Sequence, residues 1–473
     1  MLNFSDFPSC EKALRFFEEF SKIPRGSGNT KAIADYLVSF ASDRGLEVIR
    51  DTSDNVIIRK PATPGYEGHP GVILQGHTDI VALKNPDCPI NMEKEGVDIY
   101  RDGDLLRARG TTLGGDDGVA LAYAMAILDS DDISHPELEA VFTSDEEIGL
   151  LGATALDTSV LNGRMLINID SDEEGIFTVG CAGGGRIDIK LSGKAKTHIG
   201  QIYTLKIGGF KGGHSGVEIH KNRANAIKTA AEILSRLDNI RIGRMIAGSA
   251  DNAIPSDAIV VFTTKSSIFE ISNVIDDTKT ALPEGETDAA FNIEMNISSA
   301  KLFSIEDSAN IISLITDMPN GVTRMSEDIE GLVETSLNMG IININDNSVA
   351  LTISVRSAVG EEKAKLIAKI KDIASSHGAS IDVRGEYPAW EYRKESHLRD
   401  VMCKVYTDMY SKDPTVVTIH AGLECGIFSD KMEGLDCVSI GPDNRDIHTP
   451  EERLSLSSFN RVYEYLINVL KNL

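Results

Sequence analysis

The chain has 473 residues, of which 41% are hydrophobic and 25% are charged, as in soluble globular proteins with more than one domain. Asp and Glu number 72 against 47 Lys and Arg, which gives a net charge of −25. A field of this sign repels phosphate backbones and anionic lipids, so we expect neither nucleic acid nor membrane partners.

The cysteines and the N-terminal residues predict a cytoplasmic protein. The six cysteines form no C-x-x-C pair, which favours reduced thiols over a disulfide framework. The first residues lack the basic start and apolar core of a signal peptide. No apolar run approaches the ~20 residues that are needed to cross a bilayer.

The first part of the chain alternates helical and strand patterns. Amphipathic helices are predicted over 10–23 and 30–45, and an almost wholly apolar helix over 118–130. Short apolar runs predict buried strands over 71–75, 139–143 and 165–169. A loop with a small hairpin is expected within 85–110. This alternation is typical of an α/β domain with a mostly parallel sheet.

A second pattern begins near Cys181, where AGGG (182–185) is interpreted as a flexible joint. Helices and strands then alternate as in an α+β domain, with helices predicted over 221–237, 304–317 and 361–376 and a strand over 349–357. The α/β pattern returns near residue 388. The prediction is therefore a catalytic domain built from 1–183 and 388–473, interrupted by an inserted α+β lid domain over 184–387.

Acidic and histidine residues follow the three predicted buried strands. Strand 71–75 leads into His77 and Asp79, strand 139–143 leads into Asp145-Glu146-Glu147, and strand 165–169 leads into Asp170. In open α/β sheets, ligands bind at the carboxyl ends of the strands. Carboxylates gathered there repel one another, and bound cations remove that conflict. The pattern therefore indicates a metal site.

Each of these residues also has a structural interpretation. His77 alone is more often a hydrogen-bonded core histidine, and Asp145-Glu146-Glu147 is often a solvated helix start. Asp116 and Asp117 of GGDDG are acceptable helix caps, and His448 of HTPEE is an acceptable turn residue. Because all of these structural interpretations would have to be correct at the same time, the metal site is the better interpretation.

Several motifs, taken in order along nearly the whole chain, resemble those of a known family. They are LQGHTDIV, GTTLGGDDG, FTSDEEIG, NIDSDEEG, GGHSGVEIHKNRANA, TIHAGLECGIF and HTPEE. The set is similar to the M20 metallopeptidases, in the subgroup that includes the aminoacyl-histidine dipeptidases (peptidase D). The resemblance implies a two-metal hydrolase with an inserted lid domain through which two copies form a homodimer.

The resemblance also implies roles for individual residues. Two divalent ions are expected, zinc first, with manganese or cobalt as alternatives. The implied ligands are His77 and Asp170 for one ion, Glu147 and His448 for the other, and Asp116 for both. Asp79 is implied as the carboxylate that orients His77, and Glu146 as the general base.

The resemblance extends into the inserted domain. His214 of GGHSG is implied to reach the scissile carbonyl oxygen. Asn252 and Arg356 are implied to contact the substrate, and Arg356 is implied to pair with the substrate's C-terminal carboxylate. For Glu424 and His420 of HAGLECG, a substrate contact and a structural role both stay open. Asp117 stands where relatives are expected to have Asn, which adds one negative charge beside Asp116.

Three functions are compared. A dipeptidase acting on unblocked dipeptides, including Xaa-His, is favoured by the long inserted domain and by the GGHSG and HAGLECG motifs. A related metal-dependent deacylase or carboxypeptidase acting on N-acyl amino acids is the alternative. A metal-binding scaffold without activity is disfavoured because all five implied ligands and Glu146 are present.

Overall fold

The computed structural model describes residues 2–327, 329 and 331–473, and the chain divides into two compact units. Unit 1 comprises Met1–Cys181, Tyr392–Thr418 and Leu423–Leu473, and unit 2 comprises Ala182–Glu391 and Ile419–Gly422. Unit 1 is thus formed by both ends of the chain. The compact units change at 181/182 and 391/392, close to the predicted domain boundaries at 183/184 and 387/388.

The first part of unit 1 contains four α-helices and eight strands. The helices are α1 (Glu11–Phe20), α2 (Lys31–Asp43), α3 (Gly115–Leu128) and α4 (Leu151–Ala155). The strands are β1 (Glu47–Arg50), β2 (Val56–Lys60), β3 (Val72–His77), β4 (Ile99–Asp102), β5 (Leu105–Ala108), β6 (Leu138–Thr143), β7 (Met165–Asn168) and β8 (Ile176–Cys181).

Unit 2 continues the chain with α5 (Ala226–Ser235), α6 (Ile268–Thr280), α7 (Ile305–Asp317) and α8 (Gly360–Ser376). Its strands are β9 (Gly183–Ser192), β10 (Lys196–Gly208), β11 (Gly213–His214), β12 (Arg241–Ala247), β13 (Ala253–Ile254), β14 (Ala258–Thr263), β15 (Ala290–Leu302), β16 (Gly321–Met325), β17 (Val333–Ile344), β18 (Ser348–Ser357) and β19 (Ser380–Tyr387).

The last part of the chain returns to unit 1 with α9 (His397–Tyr410), α10 (Glu424–Lys431) and α11 (Leu456–Asn472). The strands here are β20 (Thr415–Ile419), β21 (Asp436–Ser439), β22 (Asn444–Arg445) and β23 (Arg453–Ser455). Short 3₁₀ helices lie at Thr158–Val160 and Ile219–Lys221.

An eight-stranded sheet with the order β1-β2-β6-β3-β7-β21-β8-β20 forms the centre of unit 1. Its middle strands β6, β3, β7 and β21 are parallel, and antiparallel pairs flank them. Strands β3, β6 and β7 are buried along their whole length, which explains why they read as continuous apolar runs. The predicted α/β fold with an inserted α+β unit is confirmed.

Helix α3 packs in the core of unit 1 and carries apolar residues on all sides. Its Tyr123 ring lies 4.5 Å from the Phe459 ring of α11, and the Tyr123 hydroxyl donates to the Phe459 carbonyl at 2.6 Å. The C-terminal helix therefore belongs to the core that supports the sheet. Among the described residues, no helix is both long and apolar enough to cross a membrane.

A nine-stranded sheet with the path β15-β10-β14-β12-β17-β18-β9-β19 forms the centre of unit 2, and β16 pairs with β17. Helix α5 begins at Ala226 rather than at residue 221 as predicted. The Asn225 side chain accepts the N–H groups of Ile227 and Lys228 and thus caps the helix there.

The interpretation of AGGG as a flexible joint is wrong. Gly183, Gly184 and Gly185 begin β9 and are buried, and they pair with Ser357, Arg356 and Val355 of β18. A Cβ on Gly184 would lie 2.4 Å from the Tyr387 hydroxyl. These glycines therefore permit close packing of strands and an aromatic ring.

Candidate metal centre and active site

The carboxyl ends of three adjacent parallel strands meet at one edge of the unit 1 sheet. His77 is the last residue of β3 and pairs with Thr143, the last residue of β6. Gln75 of β3 pairs with Asn168 at the end of β7, so Asp170 follows two residues beyond that strand. The parallel register explains how residues far apart in sequence come to one place.

Asp116 lies between the two histidines of this edge. Its Oδ1 is 3.0 Å from His77 Nε2, and its Oδ2 is 3.1 Å from His448 Nε2. His77 Nε2 also lies 3.6 Å from Asp170 Oδ1, and His448 Nε2 lies 2.8 Å from Glu147 Oε1. The five residues predicted as ligands are thus brought together around Asp116.

Two groups of ligand atoms share Asp116, and in each the atoms lie within 4.8 Å of one another. One group is His77, Asp116 and Asp170, and the other is Asp116, Glu147 and His448. Imidazole and carboxylate ligands suit zinc and related divalent ions. The residues present therefore fit a pair of cations with a shared carboxylate.

Electrostatics at this edge favour bound cations. Burial raises the pKa of Asp170 to about 7 and the pKa of Glu146 well above its usual range. Hydrogen bonds to Asp116 and Glu147 raise the pKa of His448 to about 10. Asp170 and Glu146 are thus driven towards neutrality, and nearby cations would stabilise their charged forms.

The comparison with known proteins identifies the family. Residues 73–472 match the model for Peptidase family M20/M25/M40. The chain belongs to this family. It is an enzyme of the metallopeptidase class, and the resemblance inferred from its motifs is confirmed.

Three relatives of this M20 peptidase differ in their sequence identity and structural similarity to it. The cytosol non-specific dipeptidase of Escherichia coli is 34% identical over 470 residues, 97% of this chain and 96% of the relative. Aminoacylhistidine dipeptidase from Vibrio alginolyticus has a TM-score of 0.91 at 34% identity, covering 97% of this chain and 96% of that one. Aminopeptidase PepT from Bacillus cereus, with a TM-score of 0.59 at 18% identity over 98% of each chain, shares the fold alone.

Asp79 of this M20 peptidase contacts both His77 and the segment that carries the acidic pair. Its Oδ1 is 3.5 Å from His77 Nδ1, while the nearer contact of that nitrogen is the Asp79 carbonyl at 3.0 Å. The Asp79 carboxylate also accepts the backbone N–H groups of Glu146 at 3.0 Å and Glu147 at 3.3 Å. One carboxylate therefore holds the segments on both sides of the centre.

Glu424 is fully buried beneath this edge of the sheet. Its Oε2 accepts hydrogen bonds from Gln75 Nε2 at 2.5 Å and Thr143 Oγ1 at 2.6 Å. Burial raises the pKa of Glu424 to about 7. Because Glu424 has no exposed surface and links β3 to β6, the structure favours the structural alternative over contact with a substrate amine.

The predicted substrate residues lie in unit 2. His214 Nδ1 accepts the N–H groups of Gly216 and Val217 at 3.1 and 3.3 Å, and burial lowers the pKa of His214. The neutral ring then carries its proton on Nε2, which leaves that atom as a donor. The Asn252 carbonyl accepts the N–H of Ser215, beside His214.

Arg356 of this M20 peptidase is positioned by an aromatic hydroxyl. Its Nη1 lies 3.1 Å from the Tyr387 hydroxyl within unit 2. His420 belongs to the same unit and its Nε2 lies 2.7 Å from the Ser336 hydroxyl. Burial and then the charge of Arg356 lower the pKa of His420 to about 4, which makes a neutral structural histidine.

The sequence motifs predicted no role for two buried charged residues near the centre. Arg25 and Glu452 both contact the backbone of the segment that leads into Asp116. Glu452 was visible as the last residue of HTPEE, while Arg25 lies outside every quoted motif. Long-range contacts of this kind leave no periodic pattern in the sequence.

Proposed function

We propose that this protein is a two-metal dipeptidase that hydrolyses the peptide bond of unblocked dipeptides, including Xaa-His. The observation that carries the proposal is Asp116, whose two oxygens lie about equally close to His77 and His448. The two relatives at 34% identity are both dipeptidases, which supports the substrate class.

The proposed ligands are His77 and Asp170 for one ion, Glu147 and His448 for the other, and Asp116 for both. When bound, two divalent ions polarise a peptide carbonyl and lower the pKa of a water between them. Zinc is proposed first because of the mixed imidazole and carboxylate donors, with manganese and cobalt as alternatives.

Glu146 is proposed as the general base. Its carboxylate takes a proton from the attacking water and passes that proton to the leaving amine nitrogen. Two features support this role. The backbone N–H of Glu146 is held by Asp79, and burial raises the basicity of its carboxylate.

The residues of unit 2 are proposed to bind the substrate. His214 would donate its Nε2 proton to the scissile carbonyl oxygen as negative charge develops there. Arg356 would pair with the C-terminal carboxylate through two N–H groups, and Asn252 would contact the substrate. The tautomer of His214 and the Tyr387 contact of Arg356 support these roles.

The substrate class is tested with a panel of dipeptides, tripeptides and N-acyl amino acids, each assayed before and after removal of divalent ions. We expect dipeptides such as Xaa-His to be cleaved fastest, and cleavage to stop after chelation and return when metal is added back. Elemental analysis of the active protein should find two divalent ions per chain. Preferred cleavage of N-acyl amino acids would instead support the deacylase, and activity unaffected by chelation would refute the metal centre.

Replacing Arg356 with lysine tests the carboxylate contact. Lysine keeps the charge but lacks the planar pair of donors, so KM for dipeptides should rise about tenfold. KM for dipeptides with an amidated C-terminus should change much less. Arg236→Lys, at an exposed position of the same unit, is the matched control and should change neither KM. Equal increases for acids and amides in Arg356→Lys would contradict the assignment.

A homodimer and a cytoplasmic location are also proposed. Strand β15 is one of the two edge strands of the unit 2 sheet, and an edge strand pairs readily with another strand. Apolar side chains are exposed near it, with Ile297 85% and Ile199 78% exposed. Sedimentation that finds only monomers would contradict the dimer. The similarity to the cytosol non-specific dipeptidase of Escherichia coli supports the location.

A further inference from the structure

The carboxylate of Glu452 is buried and accepts hydrogen bonds from four consecutive backbone N–H groups. Its Oε2 accepts from Leu113 at 2.7 Å and Gly114 at 2.9 Å, and its Oε1 accepts from Gly115 at 2.8 Å and Asp116 at 3.3 Å. Only 2% of Glu452 is exposed. A single side chain therefore fixes the backbone that leads into the proposed bridging ligand.

Opposite charge and a further donor compensate for the burial of this carboxylate. Asn444 Nδ2 donates to Glu452 Oε1 at 3.0 Å. On the other side of the segment, the Arg25 guanidinium donates to the carbonyls of Gly114 at 2.6 Å and Thr78 at 2.8 Å. Removing a charge from water costs free energy, so buried charges are usually paired or fully hydrogen-bonded. The segment is thus held from both sides.

The two glycines of the segment fit this arrangement closely. Gly114 has a φ of 73°, and a Cβ there would lie 2.7 Å from Arg25 Nη2. A Cβ on Gly115 would lie 2.8 Å from Asn444 Nδ2. A side chain at either position would have to displace Arg25 or Asn444, so the backbone approaches these two residues closely because both positions are glycine.

We propose that Glu452 is the positioning residue that orients Asp116 for both metal ions. The inference rests on the proposed metal centre, in which the two Asp116 oxygens face different histidines. That geometry requires a fixed backbone, because a small rotation at Asp116 would move one oxygen away from its histidine. Glu452 reaches the Asp116 N–H itself and the three N–H groups before it. It acts through Asp116 and is not itself a ligand.

The test is Glu452→Gln, compared with Glu451→Gln as the matched control. Glutamine keeps the size of the side chain but turns an NH₂ group towards backbone N–H donors, so two of the four hydrogen bonds are lost. We expect the apparent affinity for zinc, measured by competition with a chromophoric chelator, to fall about 10–100-fold. Glu451 is the exposed neighbour, and its variant should bind zinc as the parent does.

Kinetics and spectroscopy separate orientation of Asp116 from a general effect on folding. In Glu452→Gln at saturating metal, kcat for a dipeptide should fall while KM stays near the parental value, because no substrate contact is lost. The visible absorption spectrum of the cobalt-substituted variant should also differ from that of the parent. A merely structural role would lower the melting temperature and leave the cobalt spectrum and the zinc affinity unchanged.

Each outcome decides between the alternatives. Two zinc ions bound with parental affinity in Glu452→Gln would overturn the inference while leaving the metal centre intact. If that variant fails to fold, Glu452→Asp retains the charge but has a shorter reach, and parental zinc affinity in it would overturn the inference equally. A parental chain that binds no zinc, manganese or cobalt would refute the proposed function and the inference together.

Discussion

Glu146→Gln is expected to lower kcat for dipeptides by about 10²–10⁴-fold while the protein retains both metal ions. Glutamine is nearly the same size as glutamate but cannot accept a proton from water at neutral pH. The hydrogen bond from the Glu146 backbone N–H to Asp79 involves no side-chain atom and should persist. The loss should therefore appear in the chemical step and leave binding largely unchanged.

Elemental analysis and steady-state kinetics on the same preparation check this result. Glu433→Gln makes the same chemical change at an exposed position of unit 1 and should leave kcat and metal content unaltered. Hydrolysis by Glu146→Gln at near the parental rate would show that another group accepts the proton. Loss of metal from this variant would show that Glu146 is itself a ligand.

Asp116→Asn should remove most of the bound metal and lower kcat/KM by about 10³-fold or more. Both oxygens of Asp116 face imidazole nitrogens, one of His77 and one of His448. An amide would offer one oxygen and one NH₂ group in their place, so one of the two ions would lose its shared ligand. The other ion is proposed to share the same carboxylate, so we expect the occupancy of both metal sites to fall.

The adjacent residue supplies the matched control. Asp117 accepts the backbone N–H groups of His77 and Ala120, each at 3.2 Å, and its carboxylate contacts no imidazole. Asp117→Asn should lose one of these two bonds, cost about 1 kcal/mol of stability and retain both metals. Dialysis against a chelator followed by elemental analysis distinguishes the two variants. Equal metal loss in both would contradict the assignment of Asp116 as the shared ligand.

The strands that carry the centre could be predicted because burial on both faces leaves a readable pattern. Strands β3, β6 and β7 are short apolar runs, and the polar residues that follow them stand out. Their convergence follows from the parallel register alone. The α/β fold and the gathering of His77, Glu147 and Asp170 at one edge of the sheet therefore follow from the sequence and this rule. The assignment of ligands to each ion, with Asp116 and His448 among them, came from the family resemblance.

Other features depend on contacts that no local pattern encodes. Glu452 reaches the N–H of Leu113 across 339 residues of chain, and nothing in HTPEE indicates which backbone its second glutamate will meet. The glycines at 183–185 suggested flexibility, whereas the ring of Tyr387 and the neighbouring strands require their small size. For Glu424 the sequence left a substrate contact and a structural role equally open, and its complete burial favours the structural role.

The assembly of unit 1 from both ends of the chain has a consequence for synthesis. His448 and Asp116 are 332 residues apart, and β21 can pair with β7 only after residues 436–439 have been synthesised. A nascent chain on the ribosome therefore holds four of the five proposed ligands without the one that completes the cage. Hydrolytic activity would arise only after His448 has been synthesised and has left the ribosome, so a nascent chain that ends before this residue could not cleave peptides.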